Sequence, residues 1–145
     1  MGRDMNESLK VAIAETQAEV LTMSREYNLD SENFIKVFMK SRVARDLNST
    51  FNFMQWAGRA YIMERILDEL KDKLKFGGEI YDQETLYWTG YVYRMWHFYT
   101  NETSKEIYKQ ANAKTMKSQY QPLHNLCLEW TVDRLKETYI DKHKK

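Results

Sequence analysis

Apolar residues recur every three or four positions along most of this 145-residue chain, which is the spacing of one face of an α-helix. One such segment covers residues 5–27. A second runs over about 30–47 and is capped at its start by Asp30 or Ser31. The break "LNST" separates it from a third at about 51–75. The glycines of "FGG" end the third segment, so the pattern predicts three long helices in the first half of the chain.

The next segment, residues 82–99, is apolar or aromatic on every side. Between Thr85 and Thr100 its only charged residue is Arg94. A helix without a polar face is typical of a helix that others surround. The sequence therefore predicts an all-α fold, a compact bundle of about five to seven helices around a central aromatic-rich helix at about 82–100.

Shorter helices are expected in the last third of the chain, at 104–111, 115–120 and 127–140. Thr103 and Glu106 have the spacing of a capping box, and Pro122 is expected to end the helix before it. We find no repeat or linker, so residues 1–145 are expected to form a single helical domain with frayed ends at 1–4 and 141–145.

Composition and charge argue against several classes of protein. The 22 basic and 21 acidic residues nearly cancel, so the whole chain carries no strong field for phosphate. Cys127 is the only cysteine, and no apolar run reaches the roughly 18 residues that span a bilayer. These features predict a cytoplasmic protein that does not enter the membrane.

His124 and Cys127 alone do not make a metal site, and no catalytic or cofactor motif is present, so we expect a protein without enzymatic activity, metal or cofactor.

Arg94 and His97 lie one helical turn apart inside the apolar segment. A buried arginine is costly unless acceptors meet its donors. Two interpretations follow, a structural network that fixes helix packing or a pocket that holds a polar or anionic small ligand.

The stretch "TSKEIYKQANAKTMKSQY" at 103–120 has the outline of a helix-turn-helix, two short helices separated by a three-residue turn. In this interpretation the phosphate- and base-contacting residues are Lys109, Lys114, Thr115 and Lys117. Bulky Tyr108 and the absence of glycine from the turn fit this outline poorly.

Two parts of the chain resemble a family of small uncharacterised all-helical bacterial proteins encoded near toxin-type genes. The likeness is carried by "GYVYRMWHFYTNETSKEIYKQANAKTM" with "YQPLHNL", and by "FIKVFMKSRVARDLN" with "FMQWAGRAYIMERILDEL". It covers most of Phe34 to Leu135, whereas Gly2 to Asp30 matches nothing in the family. The resemblance implies an antitoxin or accessory role and no catalytic mechanism.

We therefore expect a protein-interaction module that binds a toxin-type protein partner. The candidate binding residues, chosen for their place in the shared motif, are Tyr93, Arg94, Trp96, His97, Lys105 and Tyr108. A DNA-binding regulator using 103–120 is the alternative, and a small-ligand pocket at Arg94 and His97 is the third hypothesis.

Overall fold

The computed structural model describes the backbone of residues 6–143 and the side chains of 6–48 and 58–143. Over this range the chain is all-helical, as predicted. Seven α-helices and one 3₁₀ turn follow in order: α1 Glu7–Met23, the 3₁₀ turn Ser24–Tyr27, α2 Ser31–Met39, α3 Arg42–Leu70, α4 Gln83–Thr100, α5 Ser104–Gln110, α6 Ala113–Leu123 and α7 Leu128–Lys142.

Two helix boundaries predicted for the first half are wrong. The segment 30–47 is divided at Lys40, and Ser41 caps the next helix by accepting a hydrogen bond from the backbone N–H of Ala44 at 3.1 Å. The stretch "LNST" lies inside α3, and the interruption of α3 falls instead at Gly58, with φ 73° and ψ −163°. Glycine adopts this conformation far more readily than a residue with a side chain, which explains why the interruption occurs there.

Helix caps set the boundaries in the second half. The Thr103–Glu106 capping box is confirmed, with its two hydrogen bonds at 2.9 and 3.1 Å. The side chain of Asn112 caps α6, which begins earlier than predicted and includes Pro122 in its last turn. The last helix, α7, continues through Lys142; the remaining residues of the expected frayed ends, 1–4 and 144–145, lie outside the described residues.

The closest helix pair is α1 with α4, which run antiparallel. A Cβ placed on Gly90 would lie 2.8 Å from the Cα of Ala18 and 3.1 Å from the carbonyl oxygen of Gln17. The side-chain amide of Gln17 also donates to the carbonyl of Gly90 at 2.9 Å. The absence of a side chain at Gly90 therefore allows the two backbones to approach each other.

Three helices besides α1 also pack against α4. Its contacts extend to α5, α6 and α7, while α2 packs against α3, α5 and α6. Trp96 and Tyr93 of α4 are fully buried in one continuous apolar core. No helix in the described part of the chain has the length and apolar character needed to cross a bilayer.

We predict that Gly90→Ala destabilises the protein by about 1–3 kcal/mol, because the added methyl group overpacks the contact with α1. In an unconstrained helix the same change would stabilise by about 0.5–1 kcal/mol. Urea titration measures the change in unfolding free energy between the variant and the parent protein. Glu137→Ala, on an exposed position of α7, is the control. A variant as stable as the parent protein would show that this contact is loose.

Candidate functional site

Arg94 lies on α4 where this helix meets α1 and the start of α3, and only 2% of its surface is exposed. Its Nε and Nη2 donate to the side-chain oxygen of Gln17 at 3.1 and 3.0 Å, and Nη2 also donates to the carbonyl of Ala44 at 2.8 Å. A longer contact of 3.4 Å joins Nη1 to the side-chain oxygen of Asn48. All of these acceptors are neutral, so the charge is solvated by dipoles of α1 and α3 rather than by a carboxylate.

Burial lowers the pKa of Arg94 from its usual value to about 10. A pKa of about 10 still keeps the guanidinium protonated near neutral pH. Arg94 therefore contributes a permanent positive charge to the interior.

His97 extends this network toward α5. Its Nδ1 lies 2.7 Å from the carbonyl oxygen of Glu102 and its Nε2 lies 2.9 Å from the side-chain nitrogen of Asn48. A carbonyl oxygen only accepts, so Nδ1 carries the proton and Nε2 accepts from Asn48, whose oxygen is then turned toward Arg94. Burial and the charge of Arg94 lower the pKa of His97, although its bond to the Glu102 carbonyl raises it, so the ring stays neutral near pH 7.

A cavity of about 290 Å³ opens beside Arg94 and His97. It lies between the α2–α3 junction, α4 and the start of α5, and its described lining includes the basic residues Lys40, Arg42, Arg45, Arg94 and Lys105. The hydroxyl-bearing residues Ser41, Thr103 and Ser104 also line it, and none of its described lining residues is acidic.

The six candidate binding residues divide into two groups. Arg94, His97 and Lys105 meet at the cavity. Tyr93, Trp96 and Tyr108 are buried in the core instead: the Tyr93 hydroxyl donates to the carbonyl of Ala111 at 2.6 Å, and the Tyr108 ring packs edge-on against Tyr93. Tyr93 and Tyr108 therefore join α4 to α5, Trp96 donates to Glu102 instead, and none of the three lines the cavity.

Sequence reasoning missed part of the site. Lys40, Arg42 and Arg45 stand close together in "MKSRVARDLN", but the periodicity predicts an uninterrupted helix there. The helix break at Lys40 places all three at the mouth of the cavity. The signal in the sequence was the local excess of basic residues, and the whole-chain charge balance concealed it.

Glu102 joins the C-terminal end of α4 to α5 and α7. Its carboxylate accepts hydrogen bonds from the Trp96 indole at 2.7 Å and from Lys136 at 2.9 Å, and also from Gln110 and Thr100. Burial alone would raise the pKa of Glu102, but the bonds from Lys136, Trp96, Gln110 and Thr100 outweigh it and lower the pKa to about 2. Neither its position nor its partners were predicted from the sequence.

The residues of the nucleic-acid alternative lie on α5 and α6. Lys117 forms an ion pair with Glu79, and its ammonium lies 5.2 Å from the centre of the Tyr81 ring. Lys109 and Thr115 border a shallow depression beside α7, and Lys114 is exposed. The connection between α5 and α6 is Ala111–Asn112, one residue shorter than the predicted turn. DNA binding by this segment stays a prediction.

The described residues also bear on the possibility of a metal site. No group of three or more His, Cys, Asp or Glu side chains lies close enough together to hold a metal ion. Cys127 is exposed, and Nδ1 of His124 lies 2.9 Å from the carbonyl oxygen of Tyr120.

The lowered pKa of Glu102 predicts acid lability. Its folded-state value of about 2 lies below its usual 4.5, so its stabilising contribution is complete above pH 4.5 and is lost as the pH falls toward 2. We expect Glu102→Gln to lose about 1–3 kcal/mol of unfolding free energy at pH 6.5 and only about a quarter of that at pH 2.5. Urea titrations at both pH values test this, with Glu64→Gln on the exposed side of α3 as a control. An equal loss at both pH values would contradict the assignment.

Comparison of the chain with protein families, with characterised proteins and with solved structures found no match. The resemblance to toxin-associated proteins therefore stays a prediction, and the geometry of the cavity is the basis for a functional proposal.

Proposed function

We propose that the protein binds a multiply charged oxyanion, such as a phosphate ester or a polycarboxylate, in the cavity beside Arg94. The observation that supports this most directly is the lining itself, in which five basic residues meet without a carboxylate among the described residues. A cavity of about 290 Å³ is just below the usual range for small-ligand sites, about 300–1,000 Å³, so it suits only a small ligand.

The charges in the cavity differ in how they are compensated. Arg42 lies 4.0 Å from Glu69 and Arg45 lies 3.1 Å from Asp46, so two of the five have a carboxylate at their outer side. Lys40, Arg94 and Lys105 have no ion-pair partner in the described part of the structure. A ligand with more than one negative charge would complement these three cations, and charge-assisted hydrogen bonds are about twice as strong as neutral ones.

Arg94 provides the part of the site that solvent does not screen. An anion beside a desolvated guanidinium interacts through a lower dielectric than it would at the surface. The proposal includes the predicted central position of α4, in which the surrounding helices would exclude water from Arg94. His97 holds Asn48 in place for the guanidinium, and Lys105 is exposed at the entrance.

The arrangement favours binding over catalysis. Both ring nitrogens of His97 have hydrogen-bond partners, so the imidazole is not free to act as a general base. The Ser41 hydroxyl donates to the carbonyl of Phe38 at 2.6 Å and is likewise engaged. We therefore retain the expectation of a protein without enzymatic activity.

A protein partner of the toxin type is the second candidate function. It is favoured by two large apolar side chains on α7, Trp130 and Ile140, which are 66% and 57% exposed. Exposed tryptophan is enriched at the centres of protein interfaces. Under this hypothesis the cavity would bind the small anion and the α7 surface would bind the protein partner.

Pyrophosphate is a suitable probe of the cavity, because it is small and multiply charged. We expect saturable binding by isothermal titration calorimetry at constant ionic strength, and about tenfold weaker binding by Lys105→Gln, since a charge-assisted contact contributes about 1.5–3 kcal/mol. Citrate serves as the polycarboxylate probe.

The matched control is Lys109→Gln. Lys109 is an exposed lysine one turn further along α5, outside the cavity, and its replacement changes the net charge equally. Equal weakening by the two variants would mean that the anion binds to the general surface. Absence of saturable binding of both probes at millimolar concentration would refute the proposal.

A further inference from the structure

A second concave surface lies along the N-terminal half of α4, where it meets α1 and α6. Its lining includes four aromatic side chains, Tyr87, Trp88, Tyr91 and Tyr120, and two carboxylates, Glu15 and Glu84. Its volume is about 510 Å³, within the range of small-molecule sites. We propose that this groove binds the alkylammonium headgroup of a small organic cation.

The aromatic side chains are arranged as the walls of a cage. Trp88 and Tyr120 are nearly perpendicular, with an interplanar angle of 84° and ring centres 5.6 Å apart. Tyr120 is supported from behind by His124, whose ring stacks on it at 4.4 Å. Two perpendicular rings form a corner in which a cation contacts π-electron density from more than one direction, as in the aromatic cages that bind methylated ammonium groups.

The charge of the groove has the sign that a cation requires. Its lining includes no Lys or Arg among the described residues, and neither Glu15 nor Glu84 has an ion-pair partner in that part of the chain. Burial first, and then the negative charge of Glu15, raise the pKa of Tyr87 and of Tyr91. The phenols therefore stay neutral while the carboxylates supply the negative potential.

The size of the groove favours a free small molecule over a peptide. Specific protein–protein interfaces bury roughly 1,200–2,000 Å², far more than a single groove of this kind provides. A trimethylammonium group, in contrast, needs only the aromatic corner and one neighbouring carboxylate. The site carries the opposite charge to the cavity beside Arg94, so the two proposals stand independently.

Choline and its uncharged isostere 3,3-dimethylbutan-1-ol test the proposal, because they differ in the charge of one atom. We expect choline to bind about tenfold more tightly by calorimetry, since the cation–π and carboxylate contacts require the charge. Glu15→Gln should weaken choline binding about threefold without changing that of the alcohol. Tyr87→Leu should weaken choline binding further, because it removes one aromatic wall.

Glu64→Gln, on the exposed side of α3, is the matched control for the loss of one negative charge. Equal affinity for choline and the alcohol would show a merely apolar groove and overturn the proposal, as would equal weakening by Glu64→Gln. Binding of a trimethyl-lysine peptide more than tenfold tighter than choline would also overturn it, by showing that the occupant is a modified protein.

Discussion

The burial of the Arg94 guanidinium among neutral oxygens is the constraint on which the rest of the structure depends. Gln17 of α1 and Ala44 of α3 must both come within hydrogen-bond distance, because an unpaired buried charge would cost several kcal/mol. Gln17 reaches Arg94 because α1 lies directly on α4, and that close approach is possible because residue 90 is glycine. The packing of α1 against α4 and the solvation of the Arg94 charge therefore depend on the same contacts.

This arrangement also separates two chemically opposite surfaces on one helix. The C-terminal half of α4 contributes Arg94 and His97 to a basic cavity, and its N-terminal half contributes aromatic side chains to a groove with two carboxylates. The near-zero net charge of the chain conceals this division, since the basic and acidic residues cancel in the sum. The local distribution of charge, which depends on the fold, is the basis for the two proposed ligand preferences.

Sequence patterns were informative where the determinants are local. Helical periodicity predicted the all-α class, and the capping box at Thr103 follows from two residues three positions apart. The absence of a charge other than Arg94 from residues 85–100 correctly indicated an unusual interior arginine. The partners of Arg94 could not be predicted, because Gln17 lies 77 residues and Ala44 lies 50 residues away along the chain. A pocket at Arg94 and His97 was the third hypothesis, but its basic residues Lys40, Arg42 and Arg45 were not predicted for a different reason: their position depends on a helix break at Lys40 that periodicity alone did not reveal.

The central claim is that Arg94 stabilises the fold through its neutral partners, and a double-mutant cycle tests it most directly. Unfolding free energies would be measured by urea titration for Arg94→Met, for Gln17→Met and for the double variant. The account predicts a loss of about 3–5 kcal/mol for Arg94→Met and a double variant that loses markedly less than the sum of the two single losses, because the partners then leave together. An Arg94→Met variant as stable as the parent protein, or strictly additive losses, would contradict it.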